Sequence, residues 1–140
     1  MTDLEINQSA PAVVPAKDPW YATGIFLRRE GIYTLEVTPP GQTWKDGDGL
    51  GDISADGKRA LQLIGLYPFI RMPFEKWFAL LGCIGRKRST YFRIGSQRKD
   101  YSPPEDGELT CFANDALGFN DYWYSHNNEG EMHITVTRTA

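Results

Sequence analysis

The stretch "EMHITVT" at residues 131–137 decides the fold. Met132, Ile134 and Val136 alternate with His133, Thr135 and Thr137, a period of two that places apolar side chains on one face of a half-buried strand. The same alternation recurs far upstream, where Tyr33, Leu35 and Val37 interleave with Thr34 and Glu36. Between these two lie "KWFALLGCIG" at 76–85, "TYFRIG" at 90–95 and "ELTCFAN" at 108–114, with "TGIFLR" at 23–28 just before. Each is short, rich in β-branched and aromatic residues, and bounded by Gly, Pro, Asp or Ser. No segment has a long helical period; "KRALQLIGL" could form a turn or two. Many short strands without strand-helix alternation indicate an all-β antiparallel sandwich.

Connections follow from the same reading. The charged link Arg86 to Ser89 is short enough for a tight hairpin tip, and Arg29-Glu30-Gly31 supplies a glycine for a second. Residues 1–18, ending in "SAPAVVPAK", have no periodic apolar face and are expected to form a flexible arm, leaving 19–140 as a single domain. Trp20, Trp44 and Trp77 are read as core anchors, and Cys83 and Cys111 as free core thiols within apolar strands.

Composition narrows the function. At 140 residues, with 41% hydrophobic and 24% charged, the chain can bury one ordinary core. A net charge of -3 gives no concentrated basic surface for nucleic acid, and the runs Arg86-Lys87-Arg88 and Arg98-Lys99 read as solvated loops. No apolar run is long enough to span a membrane and no signal-peptide pattern opens the chain. The expectation is a soluble protein, cytoplasmic or exported by a non-classical route. No nucleophile elbow, HExxH, CxxC or phosphate loop is present, so catalysis is not expected.

Two regions gather oxygen-bearing side chains. Asp46, Asp48, Asp52 and Asp56 alternate with glycines in a loop of about twenty residues, long enough in a compact domain to suggest function. "DGDGLGD" begins like an EF-hand loop, but Leu50 stands at the third ligand position and no helix flanks it. Taken alone, this loop is better explained by Asp-Gly pairs that simply make turns. The second region joins Asp115, just past one strand, to Asn127-Asn128, just before the last. Antiparallel pairing of those strands would bring three oxygens together, with Gly130 turning the backbone. A bare hairpin mouth is the alternative. The intervening Phe119, Tyr122, Trp123 and Tyr124 could stack on a sugar, plug the sandwich, or dock a protein.

"WFALLGCIG…FRIG…GELTCFAND…NNEGEMHITV", with Trp20 and Trp44 upstream, resembles the bacterial galactophilic lectins of the PA-I type over about residues 20–138. The resemblance implies a jelly-roll, galactose-binding-like sandwich. It implies one Ca2+ ion held by the side chains of Asp115, Asn127 and Asn128 and by backbone carbonyls at Tyr124 and near Asp46 or Gly47. Galactose would complete the coordination, with Asp115, Asn127, Trp123, Asp46 and Gln62 as sugar-contacting positions. The chain departs from the family in a longer loop between Asp115 and Asn127 and in having no His in "DGKRALQL". The implied partner is a galactoside, with a homo-oligomer or a larger assembly both open. The competing reading is a structural or adaptor module of a secreted or injection apparatus, with this fold but no sugar binding.

Overall fold

The computed structural model describes residues 1–47, 51–60, 65–66, 69–116 and 122–140. Strands run as β1 (Thr2–Asp3), β2 (Ser9–Pro15), β3 (Tyr21–Leu27), β4 (Tyr33–Val37), β5 (Thr43–Lys45), β6 (Asp52–Ser54), β7 (Leu80–Ile84), β8 (Phe92–Arg93), β9 (Gln97–Tyr101), β10 (Gly107–Ala113) and β11 (Glu131–Arg138), with a short helix α1 (Tyr122–Asn127) before the last. Five strands form one sheet in the order β1-β3-β10-β7-β8, four form a second in the order β2-β11-β4-β9, and β5 with β6 makes a small ribbon. All pairs are antiparallel except β1 with β3. The all-β sandwich expected from the period-two segments is the observed architecture.

The core fills the space between the sheets. Met132, Ile134 and Val136 of β11 join Val14 of β2 and Leu35 of β4 on one side, against Ile25, Leu27, Leu80, Leu109 and Cys111 on the other. Burying each such aliphatic side chain contributes roughly 1.5–3 kcal/mol. A second apolar layer covers the outer face of the five-stranded sheet, where Leu81, Cys83 and Phe112 pack under Trp20, Met72 and Tyr91. That layer explains why β7 is buried on both faces and reads as a continuous apolar run. It also separates the cysteines. Cys111 pairs with Gly82 across β7 and β10, so it and Cys83 face opposite sides of the sheet, and both are free and buried.

Several expectations are corrected. The stretch expected as an arm is instead strands β1 and β2, with β2 in register along β11 from Glu131↔Pro15 to Thr137↔Ser9. Its Val14 is wholly buried, and Leu4 beside β1 nearly so. Prolines at 11 and 15 hid this, yet an edge strand tolerates them because one side of its ladder needs no partner. The β3–β4 link is no hairpin: the turn closes from the Gly31 amide to the Arg28 carbonyl at 2.9 Å, but the two strands lie in different sheets. Arg98 and Lys99 lie on the exposed edge strand β9, where charge discourages pairing with another chain. The β7–β8 hairpin is present, with a single 3-10 turn at Arg88–Thr90.

Candidate functional site

Beyond Ala113 the chain leaves β10 through Asn114, which is fully buried and acts as a clamp. Its side-chain oxygen accepts from the Met72 amide at 2.9 Å and its nitrogen donates to the carbonyls of Met72 and Lys76 at 3.1 and 3.0 Å. Its main chain exchanges bonds with Phe78 and Ala79 at 2.8 and 2.9 Å. Asp115 follows, buried, with one carboxylate oxygen accepting from the Ala116 amide at 2.7 Å. Tyr124 of α1 donates its phenol to the Ala113 carbonyl at 2.5 Å, which fastens the helix to the end of β10. Burial pushes that phenol well above its ordinary pKa, and the neighbouring Asp115 carboxylate pushes the same way against Arg71. Tyr124 therefore belongs to the core and not to an exposed aromatic face.

The β5–β6 ribbon approaches from the other side. Lys45 and Glu129 exchange two backbone hydrogen bonds of 2.8 Å, so the end of β5 runs onto the entrance of β11. Trp44 donates to the Phe78 carbonyl at 3.0 Å, and Trp77 donates its indole N–H to Asp46 Oδ2 at 2.6 Å. That bond is charge-assisted and buried, which makes it one of the stronger contacts at this end of the sandwich. Gly47 rests directly on Asn127: a Cβ placed there would lie 2.8 Å from the Asn127 carbonyl oxygen, so the approach excludes a side chain. Gly130, at φ +92°, makes the left-handed bend that joins α1 to β11.

The two segments approach each other by a route other than the expected strand pairing. Strands β10 and β11 do not pair; they lie in opposite sheets. Their ends meet across the sandwich, through Tyr124 on Ala113 and through Gly47 on Asn127. The two Asn occupy the last residue of the helix and the one after it, so the backbone is turned where a strand would have sent the side chains to opposite faces. Asn127 is half-buried, while Asn128 is only 4% exposed. The Asn128 amide nitrogen donates to the Ala16 carbonyl at 3.0 Å. A carbonyl can only accept, so the carboxamide orientation is fixed and its oxygen points the other way. Among the described residues that oxygen, Oδ1, is buried and has no hydrogen-bond partner. A buried acceptor left unmatched costs about 1–3 kcal/mol.

The donor chemistry fits a hard cation. Carboxylate, carboxamide and backbone carbonyl oxygens are the ligands calcium takes, and an orphaned carboxamide oxygen is one already stripped of water. Among the described residues no cluster of three or more His, Cys, Asp or Glu side chains is placed to hold a metal, so the donor set would draw mainly on amides and carbonyls. Asp46 is drawn inward to Trp77. Gln62 lies outside the described residues, as does the side chain of Trp123, whose backbone is in α1. Asn114 and the Trp77–Asp46 bond escaped the sequence reading, because their partners are more than thirty residues away and carry no local pattern.

No protein-family model matches the chain, and no curated protein matches it. Among solved structures it is similar to one described as the EclA N-terminal domain, a PllA-like lectin, with a TM-score of 0.64 over 91% of this chain and 94% of that one. The chain shares the β-sandwich fold of that domain. At 20% identity the likeness is one of architecture alone.

Proposed function

We propose that the chain is a non-catalytic, calcium-dependent carbohydrate-binding domain for galactose-type sugars. The observation that carries the proposal is the buried, partnerless Asn128 oxygen beside the Gly47–Asn127 contact, in a chain that shares the β-sandwich fold of that lectin domain. Asp115, Asn127 and Asn128 would hold the ion with their side chains, and Gly47 and the Tyr124 turn would offer carbonyls. The bound ion would supply coordination positions for vicinal sugar hydroxyls. Around it, the chain's own part is to orient. Ala16 fixes Asn128, the Ala116 amide fixes Asp115, and the Trp77 indole holds the Asp46 turn against α1. Asp46, Trp123 and Gln62 are the proposed positions for reading the sugar. Weak single sites of this kind become effective through several copies acting together.

Calorimetric titration with calcium should give one saturable site in the wild type and none in Asp115→Ala; equal binding by both proteins defeats the ligand assignment. A glycan array run with calcium and again with chelator should retain galactosides only in calcium. Calcium binding with no glycan retained would favour the adaptor reading, which the absence of a His in "DGKRALQL" supports.

A further inference from the structure

A second cluster stands apart from the oxygen-rich end, on the outer face of the five-stranded sheet. Arg71 is 5% exposed, yet among the described residues no carboxylate pairs with it. Its guanidinium lies over Phe112, 3.4 Å from the ring centroid, and over Trp20 at 4.0 Å. It donates to the Pro19 carbonyl and, at 3.1 Å, to the Tyr91 hydroxyl, while its Nε is buried with no acceptor. Buried cations are ordinarily paired, so one held by ring faces and neutral oxygens leaves its charge uncompensated.

Arg71 lines an open cleft of about 290 Å³ together with Met72, Phe74, Glu75, Arg88 and Tyr91. Phe74 stands fully in solvent at its rim, and Arg88 is exposed with no ion-pair partner among the described residues. The acid of the cleft, Glu75, is turned to Arg93 at 3.5 Å. The cleft therefore carries net positive charge, a bare aromatic ring and room for about one sugar ring, at the small end of ligand pockets.

We propose that this cleft binds a carboxylate-bearing pyranose, a hexuronate or a sialic acid, independently of calcium. The choice of a sugar rests on the carbohydrate-binding reading above; the choice of an acid rests on the arginines. Arg88 offers a planar fork to the carboxylate, Arg71 supplies the field from the wall, and Phe74 takes the apolar face of the ring.

The test is calorimetric titration of the whole chain with glucuronate, galacturonate and N-acetylneuraminate, with galactose, glucose and acetate as controls, in calcium and in EDTA. One or more acidic sugars should bind in both buffers, and which of the three does so identifies the source of the carboxylate. Arg88→Gln and Phe74→Ala, both at exposed positions that leave the core intact, should each weaken that binding by about tenfold or more. Acetate binding as tightly as the acidic sugars, neutral hexoses binding equally well in EDTA, unchanged affinity in both variants, or loss of acidic-sugar binding in EDTA would each overturn the proposal. Acidic-sugar binding that survives EDTA while galactosides fail in calcium would retire the galactoside reading of the oxygen-rich end and leave this one standing.

Discussion

Replacing Asn128 with leucine, a side chain of similar size with no polar atoms, should have opposite consequences with and without calcium. In chelator the substitution removes a buried oxygen that has no partner, relieving a cost of about 1–3 kcal/mol. It also removes the 3.0 Å bond to Ala16, whose carbonyl is then left in a fully buried residue, at a similar cost. One orphan replaces another, and the added apolar surface offsets the lost bond of about 1 kcal/mol, so stability should stay within about 1 kcal/mol of wild type. With calcium at one hundred times its dissociation constant, the wild type should gain about 2.7 kcal/mol. For a chain of this length that corresponds to a melting shift of roughly 10 °C. The variant should gain little of it. Circular-dichroism melts of both proteins in EDTA and in calcium read all four values. A variant weakened by 3 kcal/mol in EDTA, or one that keeps the full calcium shift, refutes the assignment of that oxygen.

Tyr124→Phe deletes the bond to the Ala113 carbonyl, which still accepts from the Asp115 amide, so urea denaturation should show a loss of about 0.5–1.5 kcal/mol at unchanged slope. Ser96, through its hydroxyl and its amide, and then Arg93 hold the Asp56 carboxyl below its ordinary value of 3.8. A depressed folded-state pKa stabilises above the unfolded value and fades as the pH drops through the folded one. Asp56→Asn should therefore lower the urea midpoint at neutrality, flatten its acid limb below about pH 4, and bring the variant toward the wild type at low pH. Burial pushes the Cys83 thiol up to about 11, against Arg71 and Arg86, and raises Cys111 further still. Ellman's reagent at about pH 8 should label neither in the native protein and both after denaturation in guanidinium.

How much of this was legible in the sequence depended on side-chain size and on range. β4 and β11 were plain because Leu35, Ile134 and Val136 are large apolar residues at strict alternation. β2 was not, since its inward positions are Ala12 and Val14 between prolines, a pattern that resembles coil until β11 supplies the ladder. The sheet assignment of β10 and β11 was equally hidden. Alternation reports which face of a strand is buried and says nothing about which neighbour it has. At the site, the Asn pair and Asp115 stood out as residue types, and the structure brings their segments together by a route through α1 and the β5–β6 ribbon. Asn114, given no role by the sequence, is a structural clamp, and of the readings open for Tyr124 its burial fits a plug of the sandwich.

The bond from Asn128 to Ala16 ties the candidate site to the opening strand of the chain. A recombinant fragment begun at Pro19, the point where sequence alone would start a domain, would strip the four-stranded sheet of its edge and release the carboxamide that Ala16 aims. Such a fragment could look folded and still read as ligand-blind, so binding work belongs on a protein that keeps its first sixteen residues.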